Sequence, residues 1–420
     1  MNPLGLYLHI PFCVRKCRYC DFRSFPVAEA GPHEAYTRQL VREIAGRKAA
    51  YSGYEADTVY VGGGTPSLLM PERMEEILDA VYANYPVAEN AEITIEVNPG
   101  AVTPEKFRAY REMGVNRVSI GAQSFDAGTL SFLGRIHTVQ DTLCCFRDAE
   151  AAGFENISLD LIFGVPGQTL AQWEADLKTA VNLAPAHISF YSLQIEEGTP
   201  LFADVLAGRI AEADELLDRR MYHLAIGMLT GAGYEHYEIS NSAKPGCASR
   251  HNLKYWSMDA YAGFGLAAHS YSPGGKAAFV NENSMGKTAI NEKNASDTPQ
   301  DTLRGAEPRF RRTPGRRFSN TDDLVMYLSA GSAQDMTDWE HENSRAEDMS
   351  EFIFLGLRRT AGIELACFQE TFGCAFMELY GEETRGLIGR GLLEWAAGGG
   401  TLRLTALGLD LANRVFREYV

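Results

Sequence analysis

Three cysteines crowd into His9–Ile10–Pro11–Phe12–Cys13–Val14–Arg15–Lys16–Cys17–Arg18–Tyr19–Cys20–Asp21–Phe22, as a C-x3-C-x2-C run at Cys13, Cys17 and Cys20. The run follows Leu4–Ile10, whose alternation predicts a strand. Pro11 ends that strand, because proline cannot donate to a ladder. The cysteines therefore stand on a loop at the carboxyl end of a first strand, where α/β proteins place their chemistry. Three thiolates at this spacing can hold one iron–sulfur cube and leave one iron open. No fourth thiol is adjacent, since Phe22 follows Asp21, and His9 reads as a packing residue. An open iron can chelate a substrate or cofactor, which points to catalysis. The competing readings are a zinc knuckle or three reduced, buried cysteines. Three cysteines within eight residues of a non-secreted chain rarely only pack.

Outward from this loop, strand-like and helix-like segments alternate. Helix 33–50 leads to strand 57–61, helix 71–85, strand 91–97 and helix 103–113. Strand 117–121, helix 138–152, strand 156–162, helix 169–183 and strand 187–193 follow. Pro71 and Pro104 take first-turn positions, and Thr103 is a cap. Six βα repeats predict a parallel sheet. Every glycine-rich or polar oddity falls just after a strand, the pattern of a TIM-like barrel. Six units instead of eight predict an open, partial (β/α)6 barrel. A long helix, 213–232, and an irregular stretch, 234–272, come next. Residues 273–317 read as a long loop or insertion, with Arg309, Arg311, Arg312, Arg316 and Arg317 as a solvated face. Near the end stand helices at 350–360, 365–372 and 381–391, a hairpin from Leu392–Trp395 to Leu402–Leu404, and a last helix at 407–418. This is a small winged-helix-like domain. The expected division is 1–235, 236–348 and 349–420.

Composition narrows the function classes. The chain has 420 residues, 45% of them hydrophobic, enough for one large core and a second small one. A net charge of −16 disfavours nonspecific binding to nucleic acid or anionic membranes. No apolar run is long enough to span a bilayer, and no signal peptide is visible. The eight cysteines show no disulfide framework, which fits a reducing cytoplasm.

Several further residues carry candidate chemistry. Gly62–Gly63–Gly64–Thr65 follows the second strand, and its glycines let backbone approach a ligand. Glu96 lies within an apolar strand, where a carboxylate needs a partner such as Arg117 or Arg135, or a job. Gln123 can bond hydroxyls, Arg135 can grip a carboxylate, and Asp160 could accept two ribose hydroxyls. Each is equally a core-network residue on its own, yet they fall on successive strands or loops, as one pocket requires. His251–Asn252–Leu253–Lys254–Tyr255–Trp256 offers an imidazole and two flat rings, or a buried turn with a bonded histidine. Cys247 is a second possible ligand.

The cysteine run resembles that of the radical SAM superfamily, in which the open iron binds S-adenosylmethionine (SAM). The wider phrase, from Tyr7-x-His9-Ile10-Pro11-Phe12-Cys13 to Cys20-Asp21-Phe22, is similar to a narrower branch. That branch contains oxygen-independent coproporphyrinogen III oxidase (HemN) and the HemW-type heme chaperones. The resemblance runs from Leu6 to about Tyr271, and again from about Phe318 to the C-terminus. It implies a [4Fe-4S] cluster on Cys13, Cys17 and Cys20. It implies SAM contacts at Tyr7, Tyr19, Gly63, Gly64, Thr65, Glu96, Gln123, Arg135 and Asp160. The H-N-x-x-Y-W segment is characteristic of HemW-type proteins, and implies heme contacts at His251, Tyr255 and Trp256. Gly263–Phe264–Gly265 and Ala268–His269–Ser270–Tyr271 match the family's G-x-G-x-x-A-H-S-Y run, to which the sequence assigns no role. HemN-type oxidases carry a fourth cysteine two after the third, and an N-terminal extension. Here Phe22 fills that place and twelve residues precede Cys13. The resemblance thus implies a cytoplasmic heme chaperone that passes heme to an acceptor hemoprotein, possible acceptors being respiratory ones. The alternatives are radical decarboxylation of coproporphyrinogen or another radical SAM reaction on a tetrapyrrole.

Overall fold

The computed structural model describes residues 1–27, 33–274 and 314–420; Arg309, Arg311 and Arg312 lie outside the described residues. Each strand of the six repeats carries two chemistries on alternate residues. In β1 (Asn2–Ile10), Leu4, Leu6, Leu8 and Ile10 are fully buried on one face, and Gly5, Tyr7 and His9 take the other. β2 (Tyr54–Gly63) sets Val59 and Val61 against Thr58 and Tyr60. β3 (Val87–Val97) sets Ile93 and Ile95 against Glu92, Thr94 and Glu96. β4 (Arg117–Gln123) opposes Val118 and Ile120 to Arg117 and Ser119. β5 (Asn156–Phe163) and β6 (His187–Ser192) continue the rule with Ser158, Asp160, His187 and Ser189. The apolar set joins the inward faces of the helices in one core, each fully buried aliphatic contributing about 1.5–3 kcal/mol. The polar set lines the barrel interior.

β1 to β6 pair in sequence order and in parallel. The intervening helices are α1 (His33–Arg47), α2 (Pro71–Asn84), α3 (Pro104–Glu112), α4 (Val139–Ala151) and α5 (Leu170–Leu183), and α6 (Glu215–Gly231) follows β6. Local chemistry fixes their starts. Thr103 caps α3, and Thr138 with Asp141 and Thr169 with Gln172 form capping boxes on α4 and α5. A short helix at Ala127–Leu133, capped by Asp126 and ended by left-handed Gly134, joins them.

The stretch 234–272 is not irregular. It folds as β7 (Glu235–Glu238), β8 (Asn241–Ala243), helix α7 (Arg250–Trp256), β9 (Tyr261–Phe264) and β10 (His269–Ser272). With β11 (Arg316–Asn320) and β12 (Thr337–Glu342), these extend the barrel to a 12-stranded sheet ordered β12-β11-β10-β9-β1-β2-β3-β4-β5-β6-β8-β7. β9 pairs parallel to β1, and the later strands are antiparallel. A second core gathers Met349, Ile353, Phe368, Leu387, Leu402 and Val415 around a three-stranded sheet, the winged-helix-like unit. Its expected last helix breaks at Leu411 into two short ones.

One buried carboxylate ties α1 to the sheet extension. Glu43 is fully buried and accepts from the Gly265 amide at 2.8 Å, Asn320 Nδ2 at 2.7 Å and the Tyr327 hydroxyl at 2.9 Å. Arg47 lies 3.4 Å away. Nearby, the Tyr36 hydroxyl donates to the His9 carbonyl at 2.7 Å, so α1 also holds the end of β1. Removing Glu43 leaves the Gly265 amide and the Tyr327 hydroxyl without this acceptor and takes the opposite charge from buried Arg47. Glu43→Leu is expected to cost about 3–5 kcal/mol in urea unfolding, and a loss under about 1 kcal/mol would show that the network carries no weight.

Candidate functional site

Two backbone approaches bring the second βα loop against the cysteine loop. Gly63 has φ +112°, and a Cβ there would meet the His9 ring at 2.6 Å. A Cβ on Gly64 would meet the Phe12 carbonyl at 2.6 Å, where the Gly64 amide already donates to Ile10 O at 2.8 Å. Only glycine fits both places. Thr65 then reaches the cysteines: its hydroxyl lies 3.7 Å from Cys13 Sγ and accepts from Asn98 Nδ2 at 2.7 Å. The Arg135 guanidinium bonds Asn98 Oδ1, donates to Gly121 O at 2.9 Å and approaches Cys17 Sγ at 3.6 Å. The Tyr19 hydroxyl interacts with the same guanidinium. Burial pushes the Cys20 thiol up to about 11, so a metal must displace its proton. Among the described residues no three His, Cys, Asp or Glu side chains are close enough to share one ion. The three thiols therefore do not surround a single ion as folded; a cubane holds its cysteines at separate corners. The donor set, the glycine cradle and the polar rim fit such a cluster.

Beside this rim a cavity of about 360 Å³ is lined by Tyr7, His9, Gly63, Glu96 and Tyr255 at its buried end, and by Phe22, Arg23 and His269 where it opens. Glu96 forms no ion pair with Arg117 or Arg135 among the described residues. Its oxygens accept from the Tyr60 hydroxyl at 2.8 Å and the Gly63 amide at 3.1 Å. Burial pushes its carboxyl up to about 7. His9, expected only to pack, bonds the Tyr7 hydroxyl at 3.0 Å and the Arg23 carbonyl at 2.8 Å, and forms part of the wall. Asp160 sits deeper, with the Ser119 hydroxyl 3.1 Å from both its oxygens. Gln123 adopts φ +64°, a strained backbone for a non-glycine residue, beside Asn98 and Arg135 around Gly121. Sequence reasoning missed Asn98, Tyr60 and Ser119. Asn98 closes β3 before Pro99, a position that reads simply as a strand end.

The H-N-x-x-Y-W residues are placed differently. His251 is 1% exposed, with Thr58 Oγ1 at 2.8 Å from Nδ1 and the Tyr255 hydroxyl at 2.9 Å from Nε2. Its ring stacks on Tyr60, and burial holds it neutral, down to about 3. A neutral imidazole has one N–H and one lone pair, and here both are used. As folded, His251 has no lone pair to offer an iron. Trp256 is held by Arg358, whose guanidinium lies 4.2 Å from its ring centre, and of the three expected heme contacts only Tyr255 reaches the cavity. Cys247 is not among the cavity residues.

The Glu96 carboxyl yields a pH test. Its folded pKa lies above the ordinary value, so its contribution to stability is full below about pH 4.5 and is lost as pH rises through about 7. Gln mimics the protonated form. In urea unfolding of the ligand-free chain, Glu96→Gln is expected to match wild type near pH 4 and exceed it by about 3 kcal/mol at pH 8. Parallel pH curves for the two proteins would refute the assignment.

Comparison with known proteins agrees with this geometry. The radical SAM superfamily model matches residues 7–180, and the HemN C-terminal domain model matches residues 343–411. The protein named heme chaperone HemW from Bacillus subtilis is 32% identical over 415 residues, covering 99% of this chain and 98% of its own. The protein of the same name from Escherichia coli is 43% identical over 269 residues, covering 64% of this chain and 70% of its own. The solved structure of coproporphyrinogen III oxidase (HemN) from Escherichia coli superposes with a TM-score of 0.77 over 100% of this chain and 90% of that one, at 20% identity, a likeness of fold alone. With its three-cysteine loop, its partial barrel and relatives matched along nearly their whole length, the chain belongs to the HemW family of the radical SAM superfamily.

Proposed function

We propose that this chain is a heme chaperone: it holds a [4Fe-4S] cluster on Cys13, Cys17 and Cys20 with SAM at the open iron, binds heme, and passes it to an acceptor hemoprotein. Its relatives' names carry the heme half of this reading. The observation that carries the cofactor half is the rim in which Thr65, Asn98 and Arg135 link Cys13 to Cys17, with no fourth thiol in that network among the described residues. Phe22 stands there instead, 59% exposed.

When bound, the cluster with SAM supplies one-electron reduction of a sulfonium. The chain's own residues bind and orient. Arg135 sets positive charge against the Cys17 sulfur. Glu96, backed by Tyr60 and the Gly63 amide, suits an ammonium group. Asp160, held by Ser119, suits paired hydroxyls. Tyr7, Tyr19, Gly64, Thr65 and Gln123 complete the proposed contacts. An ammonium placed against Glu96 favours the ionised carboxylate, so this reading has SAM binding strengthen as pH rises through about 7.

The acceptor is proposed to be a respiratory hemoprotein met in the cytoplasm. No helix of the described residues is long and apolar enough to cross a membrane. Residues 1–235 are proposed to carry the cluster and SAM, 236–348 to complete the heme site, and 349–420 to act as a lid or structural unit. The test is anaerobic reconstitution followed by hemin titration and transfer to an apo-hemoprotein, with coproporphyrinogen III as a control substrate. Expected are stable hemin binding, transfer, and no porphyrinogen conversion. Changing any of Cys13, Cys17 or Cys20 to Ala should abolish the iron–sulfur absorbance. Turnover of the porphyrinogen would move the reading to an oxidase.

A further inference from the structure

If heme is the cargo, a side chain with a free lone pair for its iron is sought at the cavity, imidazole being one common ligand, and His251 does not supply it. His269 does. It opens β10, lies exposed, and lines the mouth of the 360 Å³ cavity. Its ring takes no hydrogen bond from the described residues. Partial desolvation, and then Arg317, lower its pKa from the ordinary value, which favours the neutral ring.

The surroundings of His269 are built for a flat apolar group. The register places His269 opposite Ser319, and Ser319 opposite Trp339, so His269 and Trp339 stand in one row of one sheet face. Their ring centres are 6.4 Å apart, and Trp339 is 45% exposed. Phe22, also exposed, and Tyr261 border the same opening. Arg23 supplies a cation at the rim, where its competing partner Asp322 is an exposed one. The backbone that presents the imidazole is strained. Ala267 takes φ +55°, its N–H donating to Thr321 O at 2.9 Å, while the Asn320 N–H donates to Ala268 O at 3.0 Å. A left-handed non-glycine residue so held marks a position fixed by its surroundings at some cost.

We propose that His269 is the axial ligand to heme iron in this chain, with Trp339 and Phe22 flanking the macrocycle and Arg23 facing a propionate. His251 is then a positioning residue: it orients Tyr255, whose ring forms the cavity wall, and packs against Tyr60, which holds Glu96. The inference rests on the heme reading above and names the residue of that site.

Ligand identity is read spectroscopically. Full-length protein is reconstituted anaerobically and titrated with hemin, as wild type, His269→Gly, His269→Met and His251→Asn. Expected is at least a tenfold weaker hemin affinity and a shifted Soret band for His269→Gly, with the wild-type spectrum restored by added imidazole. His269→Met should give a different axial signature in electron paramagnetic resonance. His251→Asn should keep the wild-type ligand signature even where affinity falls. An unchanged Soret band in His269→Gly overturns the inference and leaves the chaperone reading standing. Loss of the imidazole signature in His251→Asn alone also overturns it. Absence of hemin binding by wild type overturns the chaperone reading itself.

Discussion

A barrel whose inner face is polar has to satisfy that face from within, because an unpaired buried donor or acceptor costs about 1–3 kcal/mol. Six strands here carry such a face, and the bonds run from strand to strand, Tyr60 to Glu96, Ser119 to Asp160, Ser158 to His187 to Tyr237, or from strand to helix α7, Thr58 to His251. These bonds sort the polar residues into two groups. His187 and His251 have both ring nitrogens spent. Glu96 and Asp160 keep lone pairs, since a carboxylate has about four acceptor sites and these use fewer. Groups with capacity left over are the ones a ligand can meet, and Glu96 lines the cavity.

The rim depends on the same economy of space. The cysteine loop and the second βα loop approach so closely that two backbone positions exclude a Cβ. That approach sets Thr65 beside Cys13, and Asn98 carries the contact on to Arg135 and Cys17. Three segments distant in sequence, at Thr65, Asn98 and Arg135, thus converge on two of the three sulfurs. The arrangement is directional, because the guanidinium and the hydroxyl both donate toward sulfur.

Some of this was legible in the sequence. The six βα units could be read because apolar residues recur on alternate positions for six residues or more, and because Pro71, Thr103 and Pro104 mark helix starts. The cysteine loop could be read because its ligands are neighbours in the chain. β9 and β10 could not: four-residue strands such as His269–Ser272 are too short to show a period, and their pairing with β1 and β11 creates them. Asn98 was hidden for a related reason, since its role comes from Arg135, 37 residues away. The break at Leu411 has no proline to mark it, and Gly408 stands three residues before it, inside the first of the two helices.

The H-N-x-x-Y-W segment shows how a motif and its chemistry can part. An imidazole beside two aromatic rings suggests an iron site when read along the chain. Whether it can bind iron depends on Thr58, 193 residues upstream, which occupies one nitrogen while Tyr255 occupies the other. Substituting His251 therefore strips Thr58 and Tyr255 of partners, and loosens the wall of the cavity that Tyr255 forms. Weaker cargo binding follows from that loosening as readily as from a lost ligand, so affinity alone does not separate the two roles. The coordination state of the iron does, because packing around a wall alters how much heme binds without changing the atom that binds it.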